Sequence, residues 1–441
     1  MRRMRIAGLV ITVLCATFTL MATGASRHVV LISIDGMRPA SYLEAGPAQI
    51  PTLRALKASG AWASGMVGVL PSVTYPSHTT MITGVPPSAH GIENNTVVDP
   101  DGRSNGAWYW YARDIKVPTL PGLLRASGHT AAAVSWPVTV GMELDYNVPE
   151  HFRSRHPEAL SLLRALSTPR NLIDLYEASR RSPLPWPATD AERAGLAAYI
   201  IRTFRPTFTM LHIFDNDSAS HEHGPDSPQA LAALEASDGH VGDVLNALTD
   251  AGIRDRTDVV IVSDHGFLPL ETQVQPNFTF KEAGLIRVNE RGVITGWDAY
   301  LKSAGGAGFV YLSGPEDAAL AAKVRALLEA LVTDPANGID RIWSREDLDR
   351  VGAAPQATFG VTMKPKFYLG AAHTALRQPS GGKGGHGFDP AMPALHASLI
   401  LSGPSIAKKG DLGIVRMTQI APTIARWYGV RLVEDADQPL W

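Results

Sequence analysis

Asp258-Val-Val-Ile-Val-Ser-Asp-His-Gly266 is the stretch from which the fold can be read. Its apolar residues are all β-branched and run without a polar break. That is the mark of a strand covered on both faces, as in a parallel sheet. The run ends in Asp264-His265 and a glycine. In open α/β sheets, ligand sites lie beyond the carboxyl ends of the strands. A carboxylate and an imidazole at that point can hold a metal ion. An Asp capping a turn beside a packed His accounts for the same residues, and this stretch alone does not separate the two.

The pattern repeats outward in both directions. His28-Val-Val-Leu-Ile-Ser-Ile34 is a second apolar run, and it too stops at a carboxylate, Asp35, followed by Gly36. A short helix is expected over 51–60, with proline early and glycine at its end. Leu70-Pro-Ser-Val-Thr-Tyr-Pro-Ser-His78 is rich in hydroxyls and broken by prolines, so it reads as a turn entering a helix. Helix is expected at 120–127 and strand at 130–135. Thr189-Asp-Ala-Glu192 reads as a capping box opening a helix to about residue 204. A strand over 207–214 runs into Asp215-Asn-Asp-Ser-Ala-Ser-His-Glu-His-Gly-Pro225, and a long helix over 227–251 leads back to the opening stretch. A glycine-rich loop at 381–387, a strand at 396–402 and a helix at 418–428 close the pattern. Alternating strands and helices of this kind predict an α/β three-layer sandwich with a mostly parallel central sheet. Two regions depart from it. Residues 148–187 read as irregular, and about 273–372, with one clear helix at 316–332, reads as an inserted cap. The aromatic cluster Trp108-Tyr-Trp-Tyr111 reads as packing in preference to substrate stacking.

The 441 residues suit one large domain with insertions. A net charge of −2 gives no basic field for nucleic acid. The first 25 residues read as a secretory signal peptide: basic Met1-Arg-Arg-Met-Arg5, an apolar stretch over 6–21, and small residues at Thr23-Gly-Ala25. The apolar stretch is shorter than the roughly 20 residues of a membrane span. Leu14 before Cys15 is a poor lipoprotein site. The expected mature chain, 26–441, is then secreted or periplasmic and lacks cysteine. It has no disulfide, and any metal must be held by nitrogen and oxygen.

The candidate ligands gather at strand ends. They are Asp35; Asp217 and His221 at i, i+4, on one face of a helical turn; Asp264 and His265; and His386 in the glycine loop. Six side chains exceed what one tetrahedral ion uses, which points to two ions. The donor set suits zinc, with manganese or iron as alternatives. Two ions roughly 4 Å apart can hold both the attacking and the leaving oxygen in a displacement at phosphorus. For the nucleophile, spacing leaves Ser72, Thr74 and Ser77 open; Thr74 lies where the turn opens a helix, whose N–H groups favour an anion.

These motifs, in this order, resemble the nucleotide pyrophosphatase/phosphodiesterase family of the alkaline phosphatase superfamily. The resemblance spans residue 29 to about 428 and implies the alkaline-phosphatase-like fold. Pro71-Ser-Val-Thr-Tyr-Pro-Ser-His78 is similar to the nucleophile motif, which implies Thr74 as the attacking group. His90-Gly-Ile-Glu-Asn-Asn95 is similar to the segment whose last asparagine touches the phosphate, so Asn95 takes that role. Asp217-Ser-Ala-Ser-His221, with Gly224-Pro225, matches the third motif, with Ser220 where glycine is usual. The resemblance implies two Zn2+ ions, one held by Asp217, His221 and His386, the other by Asp35, Asp264, His265 and Thr74. It implies a phosphodiester or nucleotide substrate and a covalent phospho-threonine. Asn95 and a backbone N–H near Tyr75 would meet the non-bridging oxygens, and Tyr75 stands where the family places a base-stacking aromatic. Where the family's nucleotide hydrolases carry Tyr and Glu before the third-motif aspartate, this chain has His212 and Phe214, and His212 is expected at the substrate. A phosphonate hydrolase with the same ions is the rival, needing a cation such as Arg113 or Lys116 for a substrate carboxylate. A secreted metal-binding protein without activity is a third reading.

Overall fold

The computed structural model describes residues 27–441 except 105, 152–155 and 157. The expected signal peptide, and Cys15 within it, lie outside the described residues.

The opening stretch forms a strand, and its neighbours define the molecule. The central sheet has eight strands: β1 (His28–Ile34), β2 (Ala61–Trp62), β3 (Ala131–Val134), β4 (Tyr146–Val148), β5 (Phe208–Ile213), β6 (Thr257–Val262), β7 (Leu399–Ser402) and β8 (Gly410–Asp411). Their order is β8-β2-β7-β6-β1-β5-β3-β4. Every pairing is parallel except those of β7, which runs antiparallel to both β6 and β2. All residues of β1, β5 and β6 are buried, as expected of unbroken apolar runs covered on both faces.

The two faces are packed by different helices. Val30, Ile32 and Ile34 meet α3 (Asp190–Phe204) and α5 (Pro228–Asp250) through Leu196, Ile200, Val241 and Val244. Val29 and Leu31 face α2 (Thr74–Thr83) through Met81 and Ile82, with the C-terminal helix Ile420–Tyr428 alongside. Each such side chain taken fully out of water contributes about 1.5–3 kcal/mol. The result is the expected three-layer sandwich. α1 (Pro51–Ser59) begins with proline; its amides at Thr52 and Leu53 donate to Asp238 on α5, which fixes it against that layer.

Three expectations are corrected. The stretch 148–187 contains two helices, Ala159–Leu166 and Leu172–Arg180, whose Leu163, Leu172 and Ile173 join the core; the flanking Arg and Pro hid them. The capping box at Thr189 does not form, because the Thr189 side chain makes no cap bond and the Glu192 carboxylate pairs with Arg180 instead. The strand near 396–402 is shorter than expected and antiparallel.

Residues beyond the opening strand build a second sheet. Ala299–Ser303, Ala307–Leu312, Phe359–Met363 and Ile339–Trp343 pair antiparallel. The helix Ala318–Thr333 covers them through Val324, Leu328 and Leu331. Among the described residues no helix is long and apolar enough to cross a membrane.

Candidate active site

The parallel register brings the strand ends together. Ser33 of β1 lies between His212 of β5 and Val262 of β6. The residues just past these positions therefore share one rim: Asp35, the start of α4 (Asp215–His223), and Asp264-His265. The Asp35 amide donates to the Ile213 carbonyl, continuing the ladder by one step.

α4 lacks a cap from its own chain neighbour, Phe214. Asp190, 1 % exposed on α3, supplies it: its carboxylate accepts the amides of Phe214 at 3.1 Å and Asp215 at 2.7 Å. Arg193 pairs with Asp190 at 2.8 Å and lies over the Phe214 ring. This holds Asp217 and His221 over the rim.

His386 arrives from the far end of the chain. The Ser72 carbonyl accepts from His386 Nδ1 and from the Gly387 amide, and the Ser72 hydroxyl donates to the Phe388 carbonyl. Gly387 sits at φ 86°, and a Cβ there would overlap the Ala304 carbonyl. Only glycine allows that approach. The loop carrying His386 is thus latched to the turn carrying Thr74.

The atoms brought together are short of partners. Asp35 Oδ1, Asp217 Oδ1, Asp264 Oδ2 and His265 Nε2 are buried without a hydrogen bond. His221 and His386 each donate Nδ1–H to a carbonyl, of Gly384 and Ser72 respectively. Their Nε2 lone pairs then face each other at 3.1 Å. Asp217 Oδ1 lies 3.4 Å from one and 3.7 Å from the other. A second group, Asp35, Asp264 and His265, has its donor atoms within 4.8 Å of one another, and the same holds for Asp217, His265 and His386. His265 stacks on His386 at 3.5 Å, so the two groups adjoin. Buried acceptors cost about 1–3 kcal/mol each when unpaired. Opposed lone pairs add repulsion. Cations between these atoms would relieve both, so the residues fit a metal centre of nitrogen and oxygen donors.

The crowded groups shift one another: burial works against a charged His265, but the Asp264 and Asp35 carboxylates hold its pKa up at about 9. Burial pushes the Asp35 carboxyl up, and the Asp264 and Asp217 carboxylates push it further. Burial also works against the Asp264 anion, but the imidazoles of His265 and His78 hold its pKa well below the usual carboxylate range. Burial and the neighbouring His265 and His221 rings keep His386 neutral, as a ligand must be.

Thr74 is the first residue of α2, partly exposed, and it shares a cavity of about 170 Å³ with Asp35 and Asp217. Ser72 is committed to Phe388, and Ser77 is fully buried. Of the three hydroxyls the spacing left open, Thr74 is the one at the cavity. Asn95 Oδ1 accepts the Tyr75 amide at 2.9 Å, which occupies the backbone N–H expected to be free for substrate. His78 donates to the Thr74 carbonyl and accepts from Ser33, pinning α2 to β1.

Two expected substrate contacts stand differently. Tyr75 borders the cavity, but its ring is fully buried and its hydroxyl is bound to Glu150 at 2.9 Å. His212 is 1 % exposed and joins Asp35 Oδ2 at 3.0 Å to Glu150 at 3.1 Å; burial opposes its protonation, but those two carboxylates hold its pKa well above the ordinary value. The partly exposed aromatics at the cavity are Trp108 and Phe214. Trp108 keeps the packing role read for its cluster, lying against the core of Tyr75, Ile92 and Trp110, and also presents surface to the cavity. Arg113 lies over Tyr111, and Lys116 lies along Gly91; neither lines the cavity. Sequence reasoning missed Glu150. Its signal was a carboxylate just past a strand end, the same as at Asp35, but the stretch around it read as irregular. A larger hollow of about 630 Å³, between Trp297, Tyr311 and Arg345, contains none of the grouped metal-type donors.

Residues 29–368 match the family described as type I phosphodiesterase / nucleotide pyrophosphatase. Mouse (Mus musculus) ectonucleotide pyrophosphatase/phosphodiesterase family member 3 is 25% identical over 248 residues, covering 54% of this chain and 24% of that protein. Venom phosphodiesterase of Macrovipera lebetinus is 28% identical over 248 residues, 54% and 25%. The chain spans about a quarter of the length of these curated relatives. Among solved structures, human ectonucleotide pyrophosphatase/phosphodiesterase 5 is similar with a TM-score of 0.67 at 17% identity, covering 94% of this chain and 98% of that one. An inactive threonine-to-alanine variant of the murine protein, in complex with AMP, gives 0.64 at 16%, with the same coverage.

Proposed function

The chain belongs to the type I phosphodiesterase / nucleotide pyrophosphatase family, and from that premise we propose that it is a zinc-dependent hydrolase of phosphodiester or phosphoanhydride bonds, working through a covalent phospho-threonine. The observation that carries this reading is the cluster of orphaned buried acceptors on Asp35, Asp217, Asp264 and His265, of which Asp35 and Asp217 line the same cavity as Thr74. Asp217, His221 and His386 would hold one ion, and Asp35, Asp264, His265 and the Thr74 oxygen the other. Zinc bound there supplies Lewis acidity, which lowers the pKa of a coordinated hydroxyl and offsets charge on the phosphoryl oxygens.

The Thr74 hydroxyl attacks phosphorus in line, its proton passing through solvent water to the departing oxygen as the new P–O bond forms. The bond to the alkoxide or phosphate leaving group breaks on the opposite side. Water then attacks the phospho-threonine from the vacated side, releasing the product and restoring the hydroxyl. The Asn95 amide, fixed by its bond to the Tyr75 N–H, contributes a donor to a non-bridging oxygen. Trp108 and Phe214 offer flat apolar surface to the organic part of the substrate.

We read residues 26–441 as one catalytic domain, with about 273–372 as a cap, and the first 25 residues as a signal for export to the periplasm or outside the cell. The extracellular sense of the relatives' names supports the export reading. Arg113 and Lys116, the cations the phosphonate reading would use, do not line the cavity, which favours the diester reading.

The test is hydrolysis of bis(p-nitrophenyl) phosphate against p-nitrophenyl phosphate by zinc-loaded and chelator-treated protein. The diester should be preferred and the activity should vanish with chelator. Cleavage of neither compound by zinc-loaded protein would end the enzyme reading, and strong preference for the monoester would end the diesterase assignment.

A further inference from the structure

Glu150 stands two residues past β4, at the rim formed by the carboxyl ends of the strands, and opens slightly onto the cavity. One carboxylate oxygen, Oε1, accepts the Tyr75 hydroxyl at 2.9 Å. The other, Oε2, accepts from His212 Nδ1 at 3.1 Å, a donor shared with the Ser135 carbonyl at 3.1 Å. The far side of the same ring donates from Nε2 to Asp35 Oδ2 at 3.0 Å.

Both ends of this chain of hydrogen bonds finish on the reaction centre. At one end Asp35 has Oδ2 taken by His212, so only Oδ1, the orphaned oxygen, faces His265 and the other donors. Asp35 is restricted to a single ligating oxygen in a fixed direction. At the other end Tyr75 is held twice, at its hydroxyl by Glu150 and at its amide by Asn95, and its ring packs on Trp108 with centroids 5.2 Å apart. Tyr75 is the residue after Thr74. One carboxylate therefore links Asp35, just past β1, to the turn that presents the hydroxyl, beside the direct bridge that His78 makes between Ser33 and Thr74.

We propose that Glu150 is a positioning residue that sets the nucleophile turn against the Asp35 metal group, through Tyr75 on one side and His212 on the other. This rests on the zinc-hydrolase reading above. Outer-shell partners of metal ligands typically carry 10–100-fold in affinity or activity.

The experiment compares wild type with Glu150→Ala, Glu150→Gln and Tyr75→Phe. It measures kcat and KM on bis(p-nitrophenyl) phosphate, and separately zinc affinity by competition with a chromogenic chelator. Glu150→Ala should lower kcat about 10–100-fold with KM little changed, and weaken the tighter-coupled zinc equivalent about 10-fold. Glu150→Gln can still accept from His212 and donate to the Tyr75 oxygen, so it should recover most of both. Tyr75→Phe should lower kcat while leaving zinc affinity intact, because it cuts only the arm toward Thr74. If Glu150→Ala does not fold, Glu150→Asp, too short to reach both partners, carries the same expectation. Native kcat and native zinc affinity in the alanine variant would overturn the proposal. So would a loss confined to KM with zinc retained, which would make Glu150 a substrate contact. Because the chelator competition needs no turnover, a protein that cleaves no diester would defeat the hydrolase reading while the zinc measurement still decides the role of Glu150.

Discussion

A threonine hydroxyl attacks slowly unless its proton is drawn off, so Thr74 matters only through its surroundings. Thr74→Ala removes the attacking oxygen and leaves the carboxylates and imidazoles in place. Turnover of the diester should fall at least ~10³-fold while the protein still binds zinc, measured by atomic absorption on the purified variant. Full activity would move the nucleophile elsewhere. His386→Ala should do the reverse to composition and lower the zinc content, since its Nε2 stands 3.1 Å from that of His221; unchanged stoichiometry would strike it from the ligand set. At this scale the sequence spoke clearly where a donor side chain directly ends an apolar run, as at Asp35 and Asp264-His265. It was silent where a side chain acts on a distant stretch. Glu150 is 75 residues from Tyr75 and 62 from His212, and no local pattern encodes such pairings. Tyr75 and His212 were located by motif, but their burial depends on neighbours from other elements.

Among the elements, α4, like α1, takes its N-terminal cap from another helix. Its first turn is polar, its preceding residue is Phe214, and its amides are capped by a carboxylate from α3. Asp190→Ala leaves those two amides and the Arg193 guanidinium without a buried partner. The cost should be about 3 kcal/mol or more, because breaking a buried pair strands the other charge. A denaturant titration with zinc present would show it, and the variant should also bind zinc less tightly, as Asp217 and His221 ride on α4. A midpoint within error of wild type would contradict the capping role. The sequence placed the strands β1, β5 and β6 well because continuous burial leaves one apolar pattern. It misplaced the cap at Thr189 because a capping box and a carboxylate that reaches across to another helix look alike in one dimension.

For the molecule as a whole, the decisive quantity is how much the donor cluster adds once filled. A site bound at a thousand times its dissociation constant adds about 4 kcal/mol to the folded state. Two such sites in a chain of this size should shift the melting temperature by about 5–10 °C. Scanning calorimetry before and after dialysis against chelator, with zinc restored as the control, checks this. An unchanged midpoint would mean that the orphaned acceptors are not a metal centre. The fold class was legible because strand and helix alternate through most of the chain, whereas the second sheet was visible only as an interruption of that rhythm.

β2 is made early, yet both strands that flank it, β7 and β8, come from the far end of the chain, and His386 travels with them. On the ribosome, then, β6 waits as an open edge and the Thr74 turn waits without its latch at Ser72. The flank of the sheet and the His386 imidazole arrive in the same stretch of synthesis, so the donor cluster is completed as the sheet is closed.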